Sequence, residues 1–109
     1  MSERDPHKAV DYIIANAAKF AKAKAERIYL EEFRKSKKSL LMKQSLESSA
    51  VAQERDAYAH DEYLDLLDGL KAAVEIEEKL RWDLVAPQAM VEIWRTEQAN
   101  NRAEGRATQ

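Results

Sequence analysis

Asp61, Asp65, Asp68 and Glu75 recur at intervals that bring them close to one face of a helix. Carboxylates so placed can bind Mg²⁺ through bridging waters, with substrate phosphates completing the shell. A solvated acidic face has the same pattern and is the simpler reading, so no metal or other cofactor is assigned. Lys19, Lys22, Lys35, Lys37 and Lys38 form a basic series along another helix. Ammonium groups in such a row can neutralise phosphates, and affinity then falls steeply with salt. Phe20, Tyr29 and Phe33 lie among these lysines, and aromatic rings can stack on unpaired bases. Their helical spacing fits packing better. These five lysines are the candidate contacts to single-stranded nucleic acid. The competing reading is pairing with the chain's own acidic half.

Other reactive groups lead nowhere catalytic. Ser45, Ser48 and Ser49 have no base at a recognisable spacing. His60 adjoins Asp61 and Glu62, but neighbouring helix residues do not face one another, so a cap or surface role is expected. His7 stands alone. The absence of cysteine excludes disulfides, thiol catalysis and Cys-based zinc sites. Two glycines cannot build a phosphate-binding loop. The chain is therefore read as a non-enzyme.

The elements that position these residues are helical. Residues 7–45 contain neither Gly nor Pro, and residues 54–104 contain only Gly69 and Pro87. Asp5 and Pro6 read as a helix start, Asp as N-cap and Pro at the first helical position. Val10, Ile14, Ala17, Ala21, Ala25 and Ile28 recur at helical steps and predict the packing stripe of a first helix over 6–45. Three serines near residue 47 compete with the helical backbone for hydrogen bonds and place the connection there. A short helix is predicted over 50–59. A second long helix is predicted over 61–102, kinked near Pro87, with 103–109 frayed. Leu66, Leu70, Ala73, Leu80, Leu84, Val91 and Trp94 form its main stripe, interrupted by Glu77.

Charge divides the chain. Between Lys19 and Lys43 nine basic residues face three acidic ones, a net of +6, whereas Glu47 to Asp83 carries eleven acidic against four basic, a net of −7. The long helices are therefore expected to fold back antiparallel, with the pairing selecting register more than adding stability. The overall charge of −2 predicts no general attraction to nucleic acid or anionic membranes.

Around residues 82–94 the second long helix is apolar on two sides. Trp82, Val85, Ala89 and Ile93 lie roughly opposite the main stripe, with Met90 and Trp94 beside them. A helix apolar nearly all round must be covered on both sides. These six residues are the candidate oligomer interface, and a homo-oligomer is expected.

Two resemblances add to this. Glu31 and Glu32, followed by Glu62 and Asp65, resemble the Glu-Glu-x-x-Glu and Glu-x-x-Asp elements of all-helical, Mg-dependent nucleoside-triphosphate pyrophosphohydrolases. The fifth position of the first element is Lys35 here, so a required ligand is missing. Residues 12–18 (YIIANAA), 25–34 (AERIYLEEFR), 53–60 (QERDAYAH), 80–82 (LRW) and 93–95 (IWR) resemble small helical proteins of tailed bacteriophages and prophages, encoded among early or recombination genes. That resemblance covers most of the chain. It implies a role in the host cytoplasm, either as an accessory in phage DNA metabolism or as an inhibitor of a host nuclease or defence effector.

The expected fold is all-α: a single domain over 1–109, built as a long antiparallel helical hairpin with a short connecting helix and assembled into an oligomeric bundle. The expected partners are a second copy, a host or phage protein, or single-stranded nucleic acid. No membrane contact is expected, since no apolar run reaches the ~20 residues that span a bilayer.

Overall fold

The computed structural model describes residues 5–107. It is all-α, with α1 over Pro6–Gln44, α2 over Ala50–Ala59 and α3 over Asp61–Ala107. Residues 103–107, expected to fray, are the last turns of α3, while residues 108 and 109 lie outside the described part.

The helix starts follow from their caps. Asp5 Oδ1 accepts from the amides of His7 (2.9 Å) and Lys8 (3.4 Å), satisfying donors that open α1. Ser49 Oγ accepts from Ala52 N at 3.2 Å and caps α2. His60, the single residue between α2 and α3, accepts from Glu62 N through Nδ1 at 3.0 Å. Its ring thereby caps the start of α3. Ser45 turns the chain after α1, accepting from Glu47 N (3.2 Å) and bonding Asp56 Oδ2 (2.7 Å).

The single domain expected from length divides into two compact units. One comprises residues 21–78. Within it, the half-buried or buried positions of α1 include Ala23, Arg27, Leu30, Arg34, Lys37 and Leu41, at alternating steps of four and three, with Glu31, Phe33, Lys38 and Met42 half-buried beside them. On α3 the matching series is Tyr63, Leu66, Leu70, Ala73 and Glu77. Alternating steps of this kind are the seam of a coiled-coil pair. Leu41, Ala57 and Tyr63 form the core of this unit, with Met42 and Leu67 packed against it, so all three helices contribute.

Arg27 bonds Glu77 while Leu41 packs with Tyr63. Fourteen residues forward on α1 correspond to fourteen backward on α3, which fixes the helices as antiparallel in this unit.

The other unit comprises residues 1–20 and 79–109. Here the covered positions include Ala9, Ile13, Asn16 and Phe20 on α1 and Leu80, Leu84, Pro87, Met90 and Val91 on α3. Ala9 and Leu84 are its buried residues. Pro87 has no amide hydrogen to offer the carbonyl of Asp83, so α3 lacks one rung of its ladder there.

The packing face of α1 differs from the expected one. Val10, Ile14, Ala17, Ala21, Ala25 and Ile28 are exposed, and the face that packs begins one residue earlier. One residue is about 100° of helix rotation. The packing face carries Asn16, Arg27, Arg34 and Lys37, whose long or polar side chains conceal it from an apolar count.

Candidate functional site

Three features emerge: a charged layer, a cationic pocket and an uncovered apolar face. The first lies between α1 and α3 in the 21–78 unit. Arg27 Nε donates to Glu77 Oε2 at 2.6 Å and Nη2 donates to Oε1 at 3.0 Å. This is the bidentate fork that matches guanidinium to carboxylate. Nη1 donates to Glu31 Oε2 at 3.1 Å. Glu77 is only 8% exposed, and its interruption of the α3 stripe is thereby explained. The hydrogen bond to Glu77 raises the pKa of Arg27 above its ordinary value against the opposing effect of burial, with Glu31 adding to the rise.

The lysines separate into engaged and uncommitted groups. Lys37 Nζ lies 3.5 Å from Glu62 and Lys38 Nζ 3.5 Å from Glu54, so both reach across to the acidic half. Lys38 also sits 4.9 Å from the centre of the Tyr58 ring. Its hydrogen bond to Tyr58 raises its pKa against desolvation, and Glu54 raises it further. Lys35 pairs along its own helix with Glu32 at 3.3 Å. Lys19 and Lys22 are exposed.

Lys35 and Lys38 border a pocket of about 520 Å³ together with Arg34, Ser39, Glu54 and Tyr58. Tyr63 closes its floor, buried and edge-on to Tyr58 with ring centres 5.3 Å apart. Arg34 stands one heptad after Arg27 on the same face of α1. Among the described residues it makes no hydrogen bond or ion pair. By the antiparallel step above, the α3 position opposite it is Leu70, which offers no carboxylate.

The acidic residues do not assemble a metal centre. Among the described residues no three His, Asp or Glu side chains converge to hold an ion. Glu31, Glu32 and Glu62 instead pair with Arg27, Lys35 and Lys37.

The expected interface residues lie in the other unit and are largely uncovered. Trp82 is 60% exposed, Ile93 57%, Trp94 38% and Val85 37%, with Ala89 exposed as well. Met90 is half-buried within the chain's own fold. Arg81 lies over the Trp82 ring, 4.7 Å from its centre. On α1 of the same unit Val10 is 42% and Ile14 70% exposed. The sequence reading assigned this α1 face to internal packing and so missed it as an open surface.

No helix among the described residues is long and apolar enough to cross a membrane. Comparison with protein-family models, curated proteins and solved structures gives no match.

Proposed function

We propose that this chain is a non-catalytic helical binding protein that works as an assembly of copies. One observation carries this reading: the chain leaves its large apolar side chains in water. Among the described residues six hydrophobic ones are buried, while sixteen large hydrophobic ones are exposed. Scattered exposed apolar residues are ordinary, but contiguous apolar faces mark interaction sites. Trp82, Val85, Ala89 and Ile93 make such a face along three turns of α3.

A second copy is the occupant best matched to it. Each copy carries exposed cations on α1, including Lys22, Lys24 and Lys43, and exposed carboxylates on α3, including Asp65, Asp68 and Glu75. Antiparallel apposition of two copies sets each basic stretch against an acidic one. That charge pattern selects partner and register. A role in phage DNA metabolism rests on the resemblance of the five segments named above. It joins the binding reading as its biological setting.

The test is sedimentation of the full chain at micromolar concentration, alongside Trp82→Asp and Ile93→Asp. The wild-type chain should sediment as a dimer or larger, and each variant should shift towards monomer while remaining helical. Unchanged assembly in both variants would move the interface elsewhere.

A further inference from the structure

Arg27 and Arg34 form a natural comparison. Both occupy the packing face of α1 in the same compact unit, and both are half-buried. Arg27 is held by Glu77 and Glu31. Arg34 has no anion among the described residues and borders an open pocket. A guanidinium partly removed from water without a partner is unfavourable, and a bound anion would relieve it.

The pocket surrounds Arg34 with complementary groups. Lys35 and Lys38 add two ammonium groups, while Glu54 is the single carboxylate at the rim. Three cations and one carboxylate line the pocket, while Glu32 lies outside the lining, 3.3 Å from Lys35. Ser39 and Tyr58 line the same space with hydroxyl groups that can donate to an oxyanion. The existing lysine pairs are loose enough to yield. Lys38 to Glu54 is 3.5 Å, and Lys35 to Glu32 is 3.3 Å between largely exposed side chains.

We propose that the pocket formed by Arg34, Lys35, Lys38, Ser39 and Tyr58 binds a phosphomonoester. The charge makes the selection. A terminal phosphate carries close to two negative charges at neutral pH and presents three strong acceptor oxygens, which answers a lining of three cations against one carboxylate. An internal phosphodiester carries one charge and only two such oxygens. Arg34 supplies the planar fork that grips two oxygens, and the lysines act as point charges beside it. The phosphate is carried either by a free small molecule, such as a nucleoside monophosphate, or by the 5′ end of a single strand. This inference goes beyond the assembly reading and does not depend on it.

Calorimetric titration of the full chain tests it with three probes: a nucleoside 5′-monophosphate and a short single-stranded oligonucleotide bearing either a 5′-phosphate or a 5′-hydroxyl. The phosphorylated probes should bind saturably, once per chain, and the 5′-hydroxyl strand should bind at least tenfold more weakly. Arg34→Gln and the exposed Lys35→Gln should each weaken binding roughly tenfold, as expected for loss of a charge-assisted contact. Lys24→Gln, on the same helix outside the pocket, should bind as the wild type does. Tighter binding of the phosphorylated strand than of the mononucleotide assigns a strand terminus, and equal binding assigns a free phosphomonoester. Absence of binding by both phosphorylated probes overturns the proposal. So does equal binding of the two strands, or wild-type affinity in Lys35→Gln together with a helical Arg34→Gln.

Discussion

Arg27 and Glu77 show how much one residue pair decides. A charged pair inside a helix seam is a costly arrangement compared with apolar residues, but breaking it leaves a buried charge alone. Its value is in specifying register, because sliding α3 by one heptad would set Arg27 against Leu70 or Leu84. Glu77→Gln should lower the thermal midpoint and leave helix content unchanged. The exchange Arg27→Glu with Glu77→Arg should recover part of that loss. Recovery stays partial because Glu31, now near a carboxylate, repels it. A double-mutant cycle on thermal unfolding measures the coupling, and purely additive effects would deny that the pair acts as a unit.

The titration behaviour of the lysines also belongs to this scale. Lys38 is raised by Tyr58 and Glu54, and Lys79 by its hydrogen bond to Asp83 at 2.9 Å. Groups whose pKa rises on folding stabilise the fold fully below the unfolded value, about 10.4 for lysine. That contribution disappears as pH climbs through the raised folded value. Stability should therefore be level across neutral pH with respect to these groups and decline above roughly pH 10.5. Lys38→Met together with Lys79→Met should flatten that decline. An equally steep alkaline loss in the double variant would assign it to other groups.

At the scale of elements both long helices were legible, but only α3 had a legible packing stripe. Leu66, Leu70, Ala73, Leu80, Leu84 and Val91 are apolar at steps of three, four and seven and are buried or half-buried, whereas Trp94, the last member of the expected stripe, is exposed. On α1 the alanine-rich series through Val10 and Ile14 looks more apolar than the series that actually packs. Arg27, Arg34 and Lys37 are half-buried on that packing face, where the aliphatic stems of such long side chains can cover apolar surface. Single-residue polarity cannot see that division within a side chain. The pocket was invisible for a related reason: Arg34 and Tyr58 come together only once α2 folds beside α1. Glu77 was the one available signal, since a carboxylate inside an apolar stripe implies a cation opposite it.

Gly69 offers a test of α3 itself. It lies inside the helix, and a Cβ built there meets nothing within 4 Å. Alanine in that position loses less backbone freedom on folding than glycine does. Gly69→Ala should stabilise the fold by about 0.5–1 kcal/mol. Denaturant unfolding measures it, and destabilisation would mean that the open space at residue 69 is occupied in the working form.

At the scale of the whole molecule the governing fact is exposed apolar surface. Trp82 and Ile93 on α3, and Val10 and Ile14 on α1, remain substantially exposed to water. In the 21–78 unit, Ala21, Ala25 and Ile28 of α1 are likewise exposed, Ile28 at 43%. The hydrophobic effect contributes roughly 25 cal/mol for each Å² of apolar surface removed from water. Covering even part of these faces in an assembly gives a large driving force, which the helices of one copy do not provide.

The most direct test is the molar mass of the full chain in solution, measured by sedimentation equilibrium together with quenching of tryptophan fluorescence. Association predicts a mass of at least two chains at micromolar concentration, with indole emission shielded from a soluble quencher. A helical species that keeps the mass of one chain at the highest attainable concentration, with both indoles freely quenched, would contradict it.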